Sequence, residues 1–113
     1  MRGHVMDIEF ATSDLRSLCN QARIMTRRLG PACARKLMAR LMDLQSVVSV
    51  MELSAGHPHP LKGDRLGQFA LDLHDGKRLV FEPADSPVPR IDGAIAWGQV
   101  TKVRIVFVGD YHG

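Results

Sequence analysis

His57-Pro58-His59-Pro60-Leu61-Lys62-Gly63-Asp64-Arg65-Leu66-Gly67-Gln68-Phe69-Ala70-Leu71-Asp72-Leu73-His74-Asp75-Gly76-Lys77-Arg78-Leu79-Val80-Phe81 reads as a strand, a tight turn and a return strand. The approach is stiffened by two prolines and carries Lys62, Asp64 and Arg65 between glycines. Phe69, Leu71 and Leu73 then alternate with Gln68, Ala70 and Asp72, the period of a half-buried strand. His74-Asp75-Gly76-Lys77 supplies the turn, because Asp-Gly accepts the positive φ that a tight hairpin needs. Arg78 to Glu82 is the return. The mouth of this hairpin gathers His59, Lys62, Arg65, Lys77 and Arg78, donors suited to a phosphate.

Upstream lie two helical seams. Thr12 or Ser13 caps the first, whose apolar side runs Leu15, Leu18, Ala22, Met25, Leu29. Gly30 ends it and Pro31 opens the second, where a missing N–H costs nothing. The second seam is Ala34, Leu37, Leu41, Leu44, Val48, Met51, giving an antiparallel helical hairpin that needs a sheet to bury against. Before it, Met6-Asp7-Ile8-Glu9-Phe10 alternates as a first strand; Met6 could also be the natural start, which would make residues 1–5 an extension. Downstream, residues 83–99 are proline-rich and form a long loop, with a helical turn near Trp97. Thr101 to Val108 is the last strand, with Val103, Ile105 and Phe107 on one face and Lys102, Arg104, Val106 and Val108 on the other. The order is an α+β domain, one helical hairpin on one side of a largely antiparallel sheet, in a single unit over residues 1–113.

Composition narrows the classes. No apolar run approaches the roughly 18 residues of a membrane span and no secretory signal opens the chain, so a cytoplasmic protein with no membrane partner is expected. Cys19 and Cys33 belong to no Cys-x-x-Cys pair and read as buried free thiols. Net charge is +3, and among the 15 cations arginine outnumbers lysine, favouring phosphates and carboxylates as partners. Arg16, Arg23, Arg27, Arg28, Arg35, Lys36 and Arg40 make the helical segment basic, which suits nucleic acid, an acidic protein or plain solvation equally.

His59-Pro60-Leu61-Lys62-Gly63-Asp64-Arg65-x-Gly67, Arg78-Leu79-x-Phe81 and the closing Asp110-Tyr111-His112 together resemble the RelE/HigB-type toxins of bacterial type II toxin–antitoxin pairs, over roughly Met6 to His112. Two departures stand out. Phe69-Ala70 occupies a position where such toxins often carry a hydroxyl-bearing or larger aromatic pair, and the loop after Pro83 is longer than in compact members. The resemblance implies a RelE/ParE-like, microbial-ribonuclease-like fold and a ribosome-dependent mRNA endonuclease (an mRNA interferase). Its partners would be the ribosome, mRNA and a helix-turn-helix antitoxin, with operator DNA reached only through the antitoxin. No cofactor and no metal are implied.

RNA cleavage through the 2′-hydroxyl needs a base, an acid and cations at the phosphate. His59 and His112 are the candidates for base and acid, in either order, since imidazole populates both forms near neutrality. Arg78, with Lys62, Arg65 and Lys77, would stabilise the developing charge. Tyr111 could stack on an unpaired base, and Asp110 could orient a histidine or hold Arg78. His57-x-His59 offers two ligands of a metal site, but no third stands at a convincing spacing. Trp97 reads as a local packing anchor, Leu61 and Leu66 as core pegs; His4 and His74 receive no role. Two other functions remain open: a non-enzymatic inhibitor of DNA gyrase with the same fold, or a degenerate toxin acting only through antitoxin binding and operon repression.

Overall fold

In a computed structural model, which describes residues 5–110, strand β1 (Asp7–Phe10) is followed by three helices, α1 (Ser13–Asn20), α2 (Ala22–Leu29) and α3 (Pro31–Ser46). Strands β2 (His59–Pro60), β3 (Phe69–Asp72) and β4 (Arg78–Pro83) come next. A small separate hairpin, β5 (Arg90–Ile91) and β6 (Ala94–Ile95), precedes the last strand, β7 (Lys102–Gly109). The main sheet has the order β1-β7-β4-β3-β2; β1 runs parallel to β7, and the other pairs are antiparallel.

The α+β expectation holds, and so does the turn. Asp75 and Gly76 adopt φ of 57° and 78°, so the Asp-Gly dipeptide does what its chemistry allows. Phe69, Leu71, Leu79, Phe81, Val103 and Ile105 face the helices and meet Leu18, Met25, Leu37, Leu41 and Leu44 in one core. Met6 is buried and Ile8 and Phe10 pack beside it, as the alternation of β1 requires. Trp97, in a 3-10 turn, closes that core, its ring 4.9 Å from Phe69 and 6.3 Å from Phe81 between centroids. Cys19 and Cys33 are buried free thiols, and burial pushes Cys19 up to about 11.

Five details depart from the sequence reading. The first helix is broken at Gln21, whose extended backbone (φ −124°, ψ 106°) separates α1 from α2. Asn20 turns its side-chain amide onto the Arg16 carbonyl at 2.8 Å, the kind of local bond that competes with helix. The break rotates the seam: Ala22 is exposed and Ile24 packs inward. At the other end α3 stops at Ser46, whose hydroxyl donates to the Asp43 carbonyl, so Val48 and Met51 point outward and Val47 and Val50 pack against the core. Leu66 is no core peg: it follows the 3-10 turn Gly63–Arg65 and is 79% exposed, whereas Leu61 is buried.

The fourth departure bears most on the site. Val80 pairs with Phe107 but Phe81 pairs with Ile105, so Val106 is an extra residue in β7. Such a bulge inverts the side-chain alternation beyond it. Phe107 therefore leaves the helix side and packs with Leu61, Ala70 and Val80 on the opposite face, while Val108 turns toward the main core. The proline-rich loop also holds more structure than expected, since Asp92-Gly93 (φ 52° and 83°) turns the β5–β6 hairpin.

Candidate functional site

The face of the sheet turned away from the helices is arranged in three rows, each set by strand register. At one edge, Glu9, Arg104, Glu82 and Gln68 lie side by side on β1, β7, β4 and the approach to β3. Arg104 donates to Glu82 at 2.9 Å and lies 2.7 Å from Glu9; Gln68 reaches Glu82 at 3.4 Å and accepts from Arg65 at 3.0 Å. The Glu82 hydrogen bond, against some burial and with Glu9 adding to it, holds the Arg104 guanidinium above its ordinary value. This row is structural glue.

The middle row is apolar. His59 pairs with Ala70, Ala70 with Val80, and Val80 with Phe107. The Arg65 guanidinium sits over the Phe107 ring, 4.6 Å from its centroid, a cation–π contact that the bulge makes possible.

The third row carries the reactive side chains. Asp72 pairs with Arg78, and Arg78 with Gly109, so the root of the C-terminal segment lies directly beside the arginine. Arg78 Nε–H donates to Asp72 Oδ1 at 3.0 Å, and the other carboxylate oxygen faces His57 Nδ1 at 3.6 Å. The chain reaches Asp72 through Gly56, whose carbonyl accepts from Asp72 N–H at 2.6 Å. Only glycine fits there: φ is 84°, and a Cβ would stand 2.9 Å from Arg40 Cδ and 3.2 Å from the Asp72 carbonyl. His57 follows at φ 49° and stacks on His59 with ring centroids 4.7 Å apart. His59 Nδ1 lies 2.7 Å from the His57 carbonyl oxygen, which can only accept; Nδ1 therefore carries the proton and, in the neutral ring, Nε2 keeps its lone pair.

Of the residues expected from sequence, His59 is linked to Arg78 through His57 and Asp72, and Asp110 lies against the turn, its carboxylate oxygens 3.9 Å from where a Cβ on Gly76 would be. Lys77 is half-buried in that turn, beside Arg78. Arg65 belongs to the middle row through Phe107, and Lys62 is exposed at the start of the 3-10 turn. Tyr111 and His112 lie outside the described residues. Asp72 is the group the sequence reading passed over, both as a carboxylate for Arg78 and as a third partner for His57 and His59. The observed register is one residue off the pairing that a two-residue Asp75-Gly76 turn gives by counting, which would set Leu73 opposite Arg78. Beside the rows, a cleft of about 550 Å³ opens between Pro60, Leu66 and Gln68 on one wall and Arg90, Ile95 and Trp97 on the other.

No protein-family model matches the chain, and no curated protein sequence does. Solved structures do. A YoeB/ParE toxin from Agrobacterium tumefaciens superposes with a TM-score of 0.59 at 14% identity, covering 95% of this chain and 100% of that one. The fold is that of the YoeB/ParE toxins. A YoeB–YefM complex and a YoeB dimer, both from Staphylococcus aureus, give TM-scores of 0.56 and 0.54 at 15% identity, each covering 96% of this chain and 98% of theirs. At such identities the likeness speaks for the architecture, and the chemistry must be argued from the residues. Among the described residues no helix is long and apolar enough to cross a membrane.

Proposed function

We propose that this chain is the toxin of a type II toxin–antitoxin pair, of the RelE/HigB type, and cuts mRNA on the ribosome. The observation that carries the reading is the shared row of Asp72, Arg78 and Gly109, which sets Gly109 level with the guanidinium. Arg78 neutralises the phosphate as negative charge builds during 2′-hydroxyl attack, with Lys62, Arg65 and Lys77 adding to the field. His59 and His112 share the proton transfers, one taking the 2′-hydroxyl proton and the other protonating the departing 5′-oxygen. The lone pair on His59 Nε2 suits it to the first of these steps. Tyr111 stacks on a base, and Asp110 orients His112 or Arg78. A helix-turn-helix antitoxin neutralises the toxin, and operator DNA is bound through that partner; the likeness to a toxin captured in a YoeB–YefM complex supports such an assembly.

The test is induced expression followed by primer extension on translated and untranslated messages. Cuts confined to translated message, and lost in Arg78→Ala and His112→Ala with the fold intact by circular dichroism, support the assignment. Cutting that persists in both variants rejects these roles. Inhibition of gyrase supercoiling without cleavage replaces the reading with the non-enzymatic one, and growth unaffected by expression points to a degenerate toxin.

A further inference from the structure

Asp72 of the third row and the two histidines near it form an arrangement that RNA cleavage does not require. His57, His59 and Asp72 each offer a ligand atom, and these atoms lie within 4.8 Å of one another. We propose that His57, His59 and Asp72 form a binding site for a single divalent transition-metal ion of the zinc class.

Imidazole and carboxylate donors suit Zn2+, Ni2+ or Cu2+ rather than Mg2+ or Ca2+, which favour all-oxygen sites. In a tetrahedral zinc site with bonds near 2.0–2.1 Å, neighbouring ligand atoms stand roughly 3.3–3.4 Å apart. His57 Nδ1 and Asp72 Oδ2, at 3.6 Å, are already close to that edge. The other pairs stand within 4.8 Å, and the His57 side chain, 76% exposed, has room to adjust its rotamer.

The surrounding contacts are those that metal ligands use. His59 Nδ1–H is anchored on the His57 carbonyl, which fixes the ring and leaves Nε2 as the nitrogen able to ligate, the arrangement by which a backbone carbonyl orients a ligating imidazole. Asp72 has divided its work, one oxygen held by Arg78 Nε and the other turned to His57. Its position is further fixed because its own backbone is paired to β4 on one side and to Gly56 on the other. The neighbouring Arg78 cation opposes a second positive charge, and Asp72 stands between the two. Three protein ligands leave a fourth position for water or an anion.

The site is tested on the purified, tag-free full chain, stripped with chelator and titrated with Zn2+ by calorimetry and with Co2+ by visible absorption. One equivalent should bind, and His57→Asn, His59→Ala and Asp72→Asn should each weaken binding at least about tenfold, in line with the loss of a ligand or its support. His74→Ala, on the exposed turn, should leave it unchanged. His57→Asn is the decisive variant, because asparagine tolerates the positive φ and the exposed ring leaves no cavity. No saturable binding by the wild type, or binding unaltered in His57→Asn, overturns the proposal; neither result depends on whether the chain cuts RNA.

Discussion

Arg78 and Asp72 stand directly opposite each other in the β3–β4 hairpin, and the guanidinium Nε–H meets the carboxylate at 3.0 Å. The pair keeps a cation aimed along the sheet face while cancelling part of its charge. Both side chains are about one third exposed, so the bond contributes little to stability, about 1 kcal/mol or less. Asp72→Asn keeps an acceptor for Nε but removes the negative charge. Binding of a short single-stranded RNA at low salt should tighten several-fold, and a fluorescence-anisotropy titration reads this directly. Chemical denaturation should show a change within about 1 kcal/mol. RNA binding weakened by the same substitution would mean that Arg78 depends on Asp72 for its position more than it is masked by it.

Gly56 is the hinge on which His57 reaches Asp72. Gly56→Ala meets both a strained φ and the contacts with Arg40 and the Asp72 carbonyl. Its cost should exceed the roughly 1 kcal/mol of a simple glycine-to-alanine change at positive φ, measured as a shift in denaturation midpoint. The His57 ring resonances should move with it. An unchanged midpoint would show that this approach is looser than the geometry indicates.

Phe81 and Leu66 make a matched contrast in the same region. Phe81 is fully buried between Phe69 and Trp97, and Phe81→Ala should destabilise by about 3–5 kcal/mol. Leu66, largely exposed, should tolerate alanine within about 0.5 kcal/mol. Urea unfolding followed by Trp97 fluorescence separates the two.

Asp85 ties the proline-rich loop to β7. Its carboxylate accepts from Thr101 Oγ1 at 2.7 Å, from Thr101 N at 3.0 Å and from Lys102 N at 3.3 Å. Burial alone would raise its pKa, but these three donors outweigh it and hold the group below the ordinary carboxylate range. The unfolded chain thus binds this proton more readily than the folded one. The stabilisation is complete above the unfolded pKa of about 3.9 and is lost as pH falls from there through the lower folded value. Asp85→Asn should lower the melting temperature at neutral pH and flatten the acid limb of the stability profile. An identical acid limb in the variant would contradict the assignment.

Much of this fold could be read from residues, and the failures have physical causes. Asp75-Gly76 marked the turn, but the register that pairs Phe69 with Phe81 and Asp72 with Arg78 is one residue off what a two-residue turn gives by counting. Asp92-Gly93 carried the same signal, but the surrounding prolines drew attention to loop instead of hairpin. The Val106 bulge could not be seen, because Val103 to Val108 alternates as plausibly without it, and only pairing with β4 reveals the extra residue. Seams at three-four spacing say nothing of a break, so Gln21 and the early stop at Ser46 passed unnoticed. For the site, His59 and Arg78 were legible as types near a phosphate-suited mouth. Asp72 was not singled out, because an acidic residue on a half-polar strand looks like ordinary solvated surface.

The extra residue in β7 works as a gauge for everything after it. Three positions separate Val106 from Gly109, and that spacing alone decides which residue ends up level with Arg78. Were β7 to pair with β4 without the bulge, Phe107 would fall on the helix side and Val108, not Gly109, would stand opposite Arg78. Length between kink and tail is therefore as much a determinant of this molecule's capability as the identity of any side chain on it.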